Sequence, residues 1–134
     1  MMAYYVKLYL ATLIAFFAID LVWLGLVART FYSKYLGFLM APKVNWGAAL
    51  IFYLLYVVGI LVFAVVPGLK VDSLKTTLLS AALFGLIAYA TYDLTNLATL
   101  KDWPLLVTVV DLVWGTVLSV AVAFAGYMAG KWLS

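Results

Sequence analysis

The chain has 134 residues, of which 69% are hydrophobic and 10% are charged, and its formal net charge is +3. A soluble domain has about 45–50% apolar and roughly 25% charged residues, so this composition excludes a water-soluble bundle and predicts one integral membrane domain. The absence of cysteine and histidine excludes disulfides, thiol catalysis, Cys or His metal sites and imidazole acid–base chemistry. The Lys and Arg residues are scattered, as is typical of charges that flank membrane spans, and no basic run indicates nucleic acid.

Four apolar segments follow one another along the chain. Each is near or above the roughly 20 residues that an α-helix needs to cross a bilayer, and their approximate bounds are residues 4–28, 46–66, 74–97 and 103–130. Lipid offers no hydrogen-bond partner to a bare sheet edge, and the alternating strands of a barrel are absent. The sequence therefore predicts an all-α, integral membrane four-helix bundle over residues 1–134. The first segment is too long for a signal-peptide core and lacks a small-residue cleavage site, so we expect it to be retained.

Turn-forming residues mark the ends of these segments. Pro67 and Gly68 in "VVPGLK" are expected to end the second helix. Asp72 or Ser73 is then expected to cap the third. Pro104 in "LKDWP" suits the first turn of the fourth helix.

The longest connection, "RTFYSKYLGFLMAPKVN", lies between the first two helices. It is basic and aromatic, and we interpret it either as a short interfacial helix that stops near Pro42 or as a plain loop. Amphipathic rings near the predicted helix ends are expected to lie in the headgroup layer: Tyr4, Tyr5, Trp46, Trp103 and Trp132.

Three aspartates lie inside the apolar segments, where a charged side chain is among the least favourable residues. Asp20 lies about eight residues before the end of the first helix, Asp93 about five before the end of the third, and Asp111 about eight after the start of the fourth. At 1.5 Å per residue these positions are roughly 7–12 Å below one membrane face. Because the helices alternate in direction, we expect the three carboxyl groups to share one polar pocket.

The insertion free energy of these carboxyl groups favours a function for them. An Asp at mid-helix costs about 2.5–3.5 kcal/mol on insertion scales, and less if it is protonated, hydrated, paired with a cation or hydrogen-bonded. Crowded carboxyl groups can share a proton. Candidate partners are polar side chains nearby and two basic residues at the rim: Asn45, Tyr53, Tyr89, Tyr92, Thr95, Asn96, Thr108, Arg29 and Lys101. We expect Tyr89, Tyr92 or Asn96 to lie within hydrogen-bond reach of the aspartate on their own helix, directly or through one water.

Helical spacing places the aspartates on inward-facing stripes. The stripe of the third segment recurs at i, i+4, i+8 and i+11: Gly85, Tyr89, Asp93 and Asn96. Trp23 and Trp114 each follow an aspartate by three positions and share its face. Alternatively, the stripes simply pack the bundle, since small residues let membrane helices approach closely, and the tryptophans are core residues. The predicted binding or proton pocket comprises Asp20, Asp93, Asp111, Trp23, Trp114, Tyr89, Tyr92 and Asn96.

The stretches "AIDLVWLGLVARTFY", "APKVNW", "AYATYDLTNLATL", "DWPL" and "VVDLVWGTVL" together resemble a bacterial membrane family catalogued as domain of unknown function 2177. The resemblance covers nearly all of the chain. It implies a small four-helix inner-membrane protein and says little about which chemistry the protein performs. Proteins similar to this chain are often encoded near fatty-acid-modifying enzymes, and this association favours a function related to lipids.

Three functions are compatible with the pattern. We favour a proton- or cation-linked carrier or binding protein for a small or amphiphilic solute, with dimerisation adding internal room to four short helices. The first alternative is a membrane enzyme, or an accessory subunit of one, that modifies a fatty acid or lipid, with Asp93 and Asp111 as an acid–base pair or as oxygen ligands of a divalent cation. The second is a structural scaffold. We expect no cofactor and no nucleic acid; the expected partners are the bilayer, a small-molecule or lipid substrate and a second copy of the chain.

Overall fold

The computed structural model describes residues 1–134 and consists of four long helices with no strand. We number them in chain order: α1 is Met2–Leu39, α2 is Trp46–Lys70, α3 is Leu74–Thr99 and α4 is Leu105–Leu133. Each helix is long and apolar enough to cross a membrane. The predicted class, an all-α bundle with four candidate membrane spans, is confirmed.

The fourth helix occupies the centre of the bundle. It contributes 11 of the 28 buried residues, and it packs along α1 and most extensively along α3. The hydrophobic core between the helices includes Leu8, Phe16, Ile60, Leu118 and Val122. Because α4 contacts every other helix, its inward residues decide what faces the interior at each level.

The two ends of the bundle differ in how closely α2 and α3 approach each other. Residues 61–70 of α2 pack closely on α3, while Trp46–Ile60 packs closely on α1 instead. We call the end with both chain termini and the turn at residues 71–73 the closed end. The end with the connections at residues 40–45 and 100–104 is the open end, and a cleft separates α2 from α3 towards it.

Most of the basic and aromatic connection predicted between the first two helices, residues 29–39, is the last part of α1. A π-helical turn over Leu24–Ala28 leads without a break into the helix Arg29–Leu36, and a final 3-10 turn over Gly37–Leu39 ends it before Pro42. The segment has no proline or glycine before Gly37, so no residue stops the backbone earlier. The predicted end of the first helix near residue 28 is wrong. The helix expected to stop near Pro42 is present but continues α1 rather than standing apart from it, and residues 40–45 form a loop.

The second helix also continues beyond its predicted end. A π-helical turn over Leu61–Val65 precedes Pro67, and this wider turn accommodates a residue that cannot donate a backbone hydrogen bond. α2 therefore runs to Lys70, and the prediction that Pro67 and Gly68 end it is wrong. Gly68 is buried against α3, where a Cβ atom would lie 1.7 Å from Thr77 Oγ1.

The predicted cap of α3 is present, and the predicted start of α4 is not. The Ser73 hydroxyl oxygen accepts a hydrogen bond from the Thr76 N–H at 3.1 Å. Pro104 precedes α4 rather than lying in its first turn. Trp103, expected in the headgroup layer, is buried, and its indole N–H donates to Thr108 Oγ1 at 3.0 Å. The indole is buried because it fills the turn between α3 and α4.

Candidate functional site

The three membrane-embedded aspartates line one cavity towards the open end of the bundle. Its volume is about 510 Å³. Its wall consists of three carboxyl groups, seven aromatic rings and two aliphatic residues: Asp20, Asp93, Asp111, Trp23, Tyr32, Phe52, Tyr56, Tyr89, Tyr92, Trp114, Leu24 and Ala88. All four helices contribute residues, so the cavity exists only in the assembled bundle. We call it the aspartate pocket.

Asp20 is held by a tyrosine of the neighbouring helix. Its side chain is buried in α1, and the Tyr53 hydroxyl of α2 donates to Asp20 Oδ2 at 2.8 Å. The Trp114 indole of α4 lies beside the same carboxyl group. Tyr53 is one of the partners that the sequence suggests, and its hydroxyl supplies Asp20 with a donor.

Asp111 receives its donor from a residue that the sequence did not suggest. The Tyr32 hydroxyl, in the last part of α1, donates a hydrogen bond to Asp111 Oδ1. Tyr32 reaches the carboxyl group only because α1 continues through Arg29–Leu36. A chain that left the helix at Ala28 would place this hydroxyl outside the pocket.

Asp93 differs from the other two aspartates because its carboxyl group has no donor. The residue is 0% exposed, and neither Oδ1 nor Oδ2 has a hydrogen-bond partner. The direct bond expected from Tyr89, Tyr92 or Asn96 is not formed. The Asp111 carboxyl group lies beside it and offers only another acceptor unless one of the two carries a proton. The unpartnered carboxyl group of Asp93 and the neighbouring carboxyl group of Asp111, whose donor is Tyr32, thus form the most polar point of the pocket.

Aromatic rings from different helices close the pocket around these carboxyl groups. The indoles of Trp23 and Trp114 stack with centroids 4.2 Å apart and planes at 8°. Tyr32 meets Trp23 edge-on at 6.4 Å. Tyr89 packs on the backbone of Gly115, where a Cβ atom would lie 2.3 Å from the ring. Gly115 lies one turn after Asp111. Because Gly115 has no side chain, the Tyr89 ring can pack there and line the pocket beside the two carboxyl groups.

The structure brings together seven of the eight site residues that the sequence suggests. Asn96 is the exception: it lies next to Tyr92 and does not line the pocket. Sequence reasoning missed Tyr32, Phe52 and Tyr56. The periodic stripe of the third segment could find residues only on that helix, whereas these three come from helices whose faces towards the pocket depend on how α1 and α2 pack.

No basic side chain lines the pocket beside its three carboxyl groups. Three of the five acidic residues line it and none of the eight Lys and Arg residues does. The one ion pair of the chain is at the closed end, where Lys131 Nζ lies 2.5 Å from Asp72 Oδ1. No group of three or more His, Cys, Asp or Glu side chains is placed to hold a metal ion.

The sequence matches a family model over nearly its whole length. The model is described as "Predicted membrane protein (DUF2177)", and it matches residues 5–128. No curated protein and no solved structure matches the chain. The matched residues include every residue that lines the aspartate pocket.

Proposed function

We propose a carrier function for this chain, which belongs to the membrane protein family DUF2177. In the proposal it lies in the bacterial inner membrane and binds a small or amphiphilic solute in the aspartate pocket in exchange for a proton. Two features support the proposal: the pocket lies between four helices that are each long and apolar enough to cross a membrane, and Asp93 and Asp111 are groups that can exchange a proton.

The observation that carries the proposal is the unpartnered carboxyl group of Asp93. A buried polar group without a partner costs about 1–3 kcal/mol, and a charged group costs more. Two facing carboxyl groups can lower that free energy in two ways. They can share a proton, or they can bind a solute that brings its own donors.

Proton and solute then compete for the same oxygen atoms. A solute whose donors bind Asp93 and Asp111 displaces the shared proton, and a returning proton displaces the solute. Interacting carboxyl groups of this kind exchange protons as a pair, so the exchange belongs to both residues. The Asp20 carboxyl group, on another side of the pocket, keeps its own hydrogen bond from Tyr53.

A carrier also needs the pocket to open in turn towards each side of the membrane. The π-helical turn at Leu24–Ala28 adjoins the pocket, and the one at Leu61–Val65 lies towards the closed end. Such turns are frequent at functional sites because their hydrogen bonding is already irregular. We assign the helix movement to these two turns and propose that two copies of the chain form the working unit.

Proton release on solute binding tests the exchange. Purified protein in a weakly buffered detergent solution with a pH indicator is mixed with butylammonium, butanol or butyrate, which share a short chain and differ in headgroup. The parent protein should release protons with at least one of them, and Asp93→Asn should release none. Asp72→Asn is the matched control, since its carboxyl lies at the closed end. Equal release from the parent and Asp93→Asn would exclude Asp93 from the exchange.

Movement of the solute tests the carrier step. Proteoliposomes with an acidic interior are given labelled guanidinium, a cation with N–H donors that stays charged at every pH used and so cannot cross lipid by losing a proton. Outward proton flow should drive its accumulation in vesicles with the parent protein and not with Asp93→Asn. Proton release without accumulation would indicate a binding protein rather than a carrier. If no probe gives either proton release or accumulation, the aspartates have a structural role.

A further inference from the structure

We infer that the solute is an amphiphilic ammonium ion, whose protonated amine binds between Asp93 and Asp111 while its alkyl chain lies in an apolar groove between α2 and α3. This inference rests on the proposed function and adds the class of solute and its route into the pocket.

The headgroup follows from the hydrogen bonds that the pocket lacks. Asp20 and Asp111 each have a tyrosine donor, from Tyr53 and Tyr32, whereas both oxygens of Asp93 have none. An ammonium group has only donors, up to three of them, and no acceptor. A carboxylate or phosphate headgroup would add acceptors and negative charge to a wall that has three carboxyl groups and no basic residue.

The aromatic wall also favours a cation over a neutral donor. Seven of the twelve residues that line the pocket are aromatic. A cation within about 6 Å of a ring centroid is attracted by the negative face of the ring, and this attraction increases when the site excludes water. A neutral hydroxyl or amide would satisfy the carboxyl oxygens without using the rings. The combination of carboxyl groups and rings therefore matches a positively charged amine.

The alkyl chain follows from a second cavity that joins the first. The groove has a volume of about 440 Å³. Phe52, Tyr56 and Ala88 line both cavities, so the groove begins at the wall of the aspartate pocket. Beyond these three residues its lining is apolar throughout: Leu55, Val58, Gly59, Val62, Phe63 and Phe84.

The groove runs along the lipid-facing side of α2. From Phe52 to Phe63 it spans roughly 16 Å of helix, which is about half of the 30 Å hydrocarbon layer. Leu55 and Phe63 are 67% and 63% exposed, so the groove faces the surrounding bilayer. It has the length and the apolar surface that one alkyl chain needs.

The groove provides access rather than affinity. Hydrocarbon gains little by leaving lipid for an apolar protein surface, because the two environments are nearly equivalent. The cleft between α2 and α3 lets the amine enter the pocket while its chain stays in the lipid layer. An amine with a short chain would reach the same carboxyl groups without using the groove.

A binding experiment with three probes tests the headgroup. The protein in zwitterionic nanodiscs is titrated by calorimetry with dodecylammonium, dodecyl sulfate and butylammonium, and the heats from empty nanodiscs are subtracted. Dodecylammonium should bind saturably. Dodecyl sulfate, which has the same chain and the opposite charge, should not. Asp93→Asn should weaken dodecylammonium binding about ten- to a hundredfold, the usual range for a hydrogen bond to a charged group.

Two matched variants of α2 test the groove. Val58→Trp fills the groove at a lipid-facing position, and Leu50→Trp makes the same kind of change on α2 outside it. The indole leaves the bound alkyl chain no space beside the pocket, so Val58→Trp should weaken dodecylammonium binding about tenfold and leave butylammonium binding unchanged. Leu50→Trp should leave both unchanged.

Several outcomes would overturn the inference while leaving the carrier proposal intact. Saturable binding of dodecyl sulfate would show that charge does not select the solute. Unchanged dodecylammonium binding in Val58→Trp would show that the chain does not use the groove, and loss of a dimer in that variant alone would identify the groove as a contact between two copies. Proton release with butanol or butyrate, and no binding of either amine, would keep the exchange and exclude the ammonium ion.

Discussion

The closed and open ends of the bundle join the same four helices in different ways. At the closed end the helices meet through glycine: a Cβ atom at Gly126 would lie 2.9 Å from Thr12 Oγ1, and one at Gly130 would lie 2.5 Å from Leu69 Cδ1. The Tyr4 hydroxyl there donates to the Gly130 carbonyl at 3.0 Å. Helices at this end are in close contact, and their polar groups have partners.

At the open end aromatic rings hold the helices apart. Trp23 and Trp114 stack across the gap between α1 and α4, and Asp93 is buried without a donor. Close packing supplies the attraction between membrane helices, so the closed end holds the bundle together. The open end can then keep polar groups that do not favour folding. Along the membrane normal, the contacts that stabilise the protein therefore lie at one end of the bundle and the aspartate pocket lies at the other.

Paired glycine substitutions should give the largest difference between the two ends. At Gly68 a Cβ atom would lie 1.7 Å from Thr77 Oγ1, whereas at Gly25, in the π-helical turn near the open end, nothing lies within 4 Å. Gly68→Leu should lower the free energy of unfolding by about 3 kcal/mol through overpacking. Gly25→Leu should change it by less than about 0.5 kcal/mol. Thermal unfolding in detergent, followed as loss of the monodisperse species, measures both, and equal shifts would contradict a closed end that holds the bundle together.

Removing a donor within the pocket should have the next largest effect. Tyr32→Phe keeps the ring and leaves Asp111 buried without the hydroxyl that now donates to it. The loss should be about 1–3 kcal/mol, as for an unpaired buried group. Tyr9→Phe is the control, because its exposed hydroxyl donates to a neutral carbonyl, Leu54 O, at 2.9 Å. A Tyr9→Phe melting temperature as low as that of Tyr32→Phe would remove the special role of the carboxyl acceptor.

Substitutions of Asp93 should separate stability from function. Asp93→Asn loses no hydrogen bond and gains a side-chain N–H that can donate to Asp111. It should therefore unfold within about 0.5 kcal/mol of the parent or above it, although proton release is lost. Asp93→Leu places a branched chain against Asp111 and should lower stability by about 1–2 kcal/mol. A large destabilisation by Asp93→Asn would mean that this carboxyl supports the fold.

The smallest effect should come from the ion pair at the closed end. The hydrogen bond from Lys131, and then its positive charge, hold the pKa of the Asp72 carboxyl below its usual 3.8. A carboxyl with a depressed pKa in the folded state stabilises that state above pH 3.8, and this contribution disappears as the pH falls through the folded-state pKa. The pair is exposed, so salt should weaken it further. Melting curves of the parent and Asp72→Asn should differ slightly at pH 7 and converge at acidic pH. Asn is a suitable replacement because Asp72 has a φ of 51°.

Residue counting along the four segments was sufficient to place the three aspartates at one level. Chain direction alternates and the rise per residue is fixed, so Asp20, Asp93 and Asp111 line one pocket even though the first helix extends well beyond its predicted end near residue 28. The inward faces of α3 and α4 could also be predicted from the sequence, because both helices are regular over their whole length.

Irregular helix turns explain what could not be predicted. Tyr32 lies twelve residues after Asp20, about a third of a turn out of line in a regular helix, and the π-helical turn at Leu24–Ala28 changes that phase. The similar turn before Pro67 carries α2 past a residue that normally ends a helix. The lone carboxyl of Asp93 was also unpredictable, because it depends on the directions in which Tyr89 and Tyr92 point.

The polar run "TYDLTN" of α3 also affects how the protein is made. α3 is the least apolar of the four spans, and a buried aspartate adds to the free energy of moving this helix from the translocon into lipid. Its most extensive contacts are with α4, which is synthesised last. We expect α3 to remain close to the insertion machinery until α4 emerges and pairs with it. Chains that are truncated before residue 105 and released from the ribosome should therefore leave α3 accessible to aqueous reagents, whereas the finished hairpin should protect it.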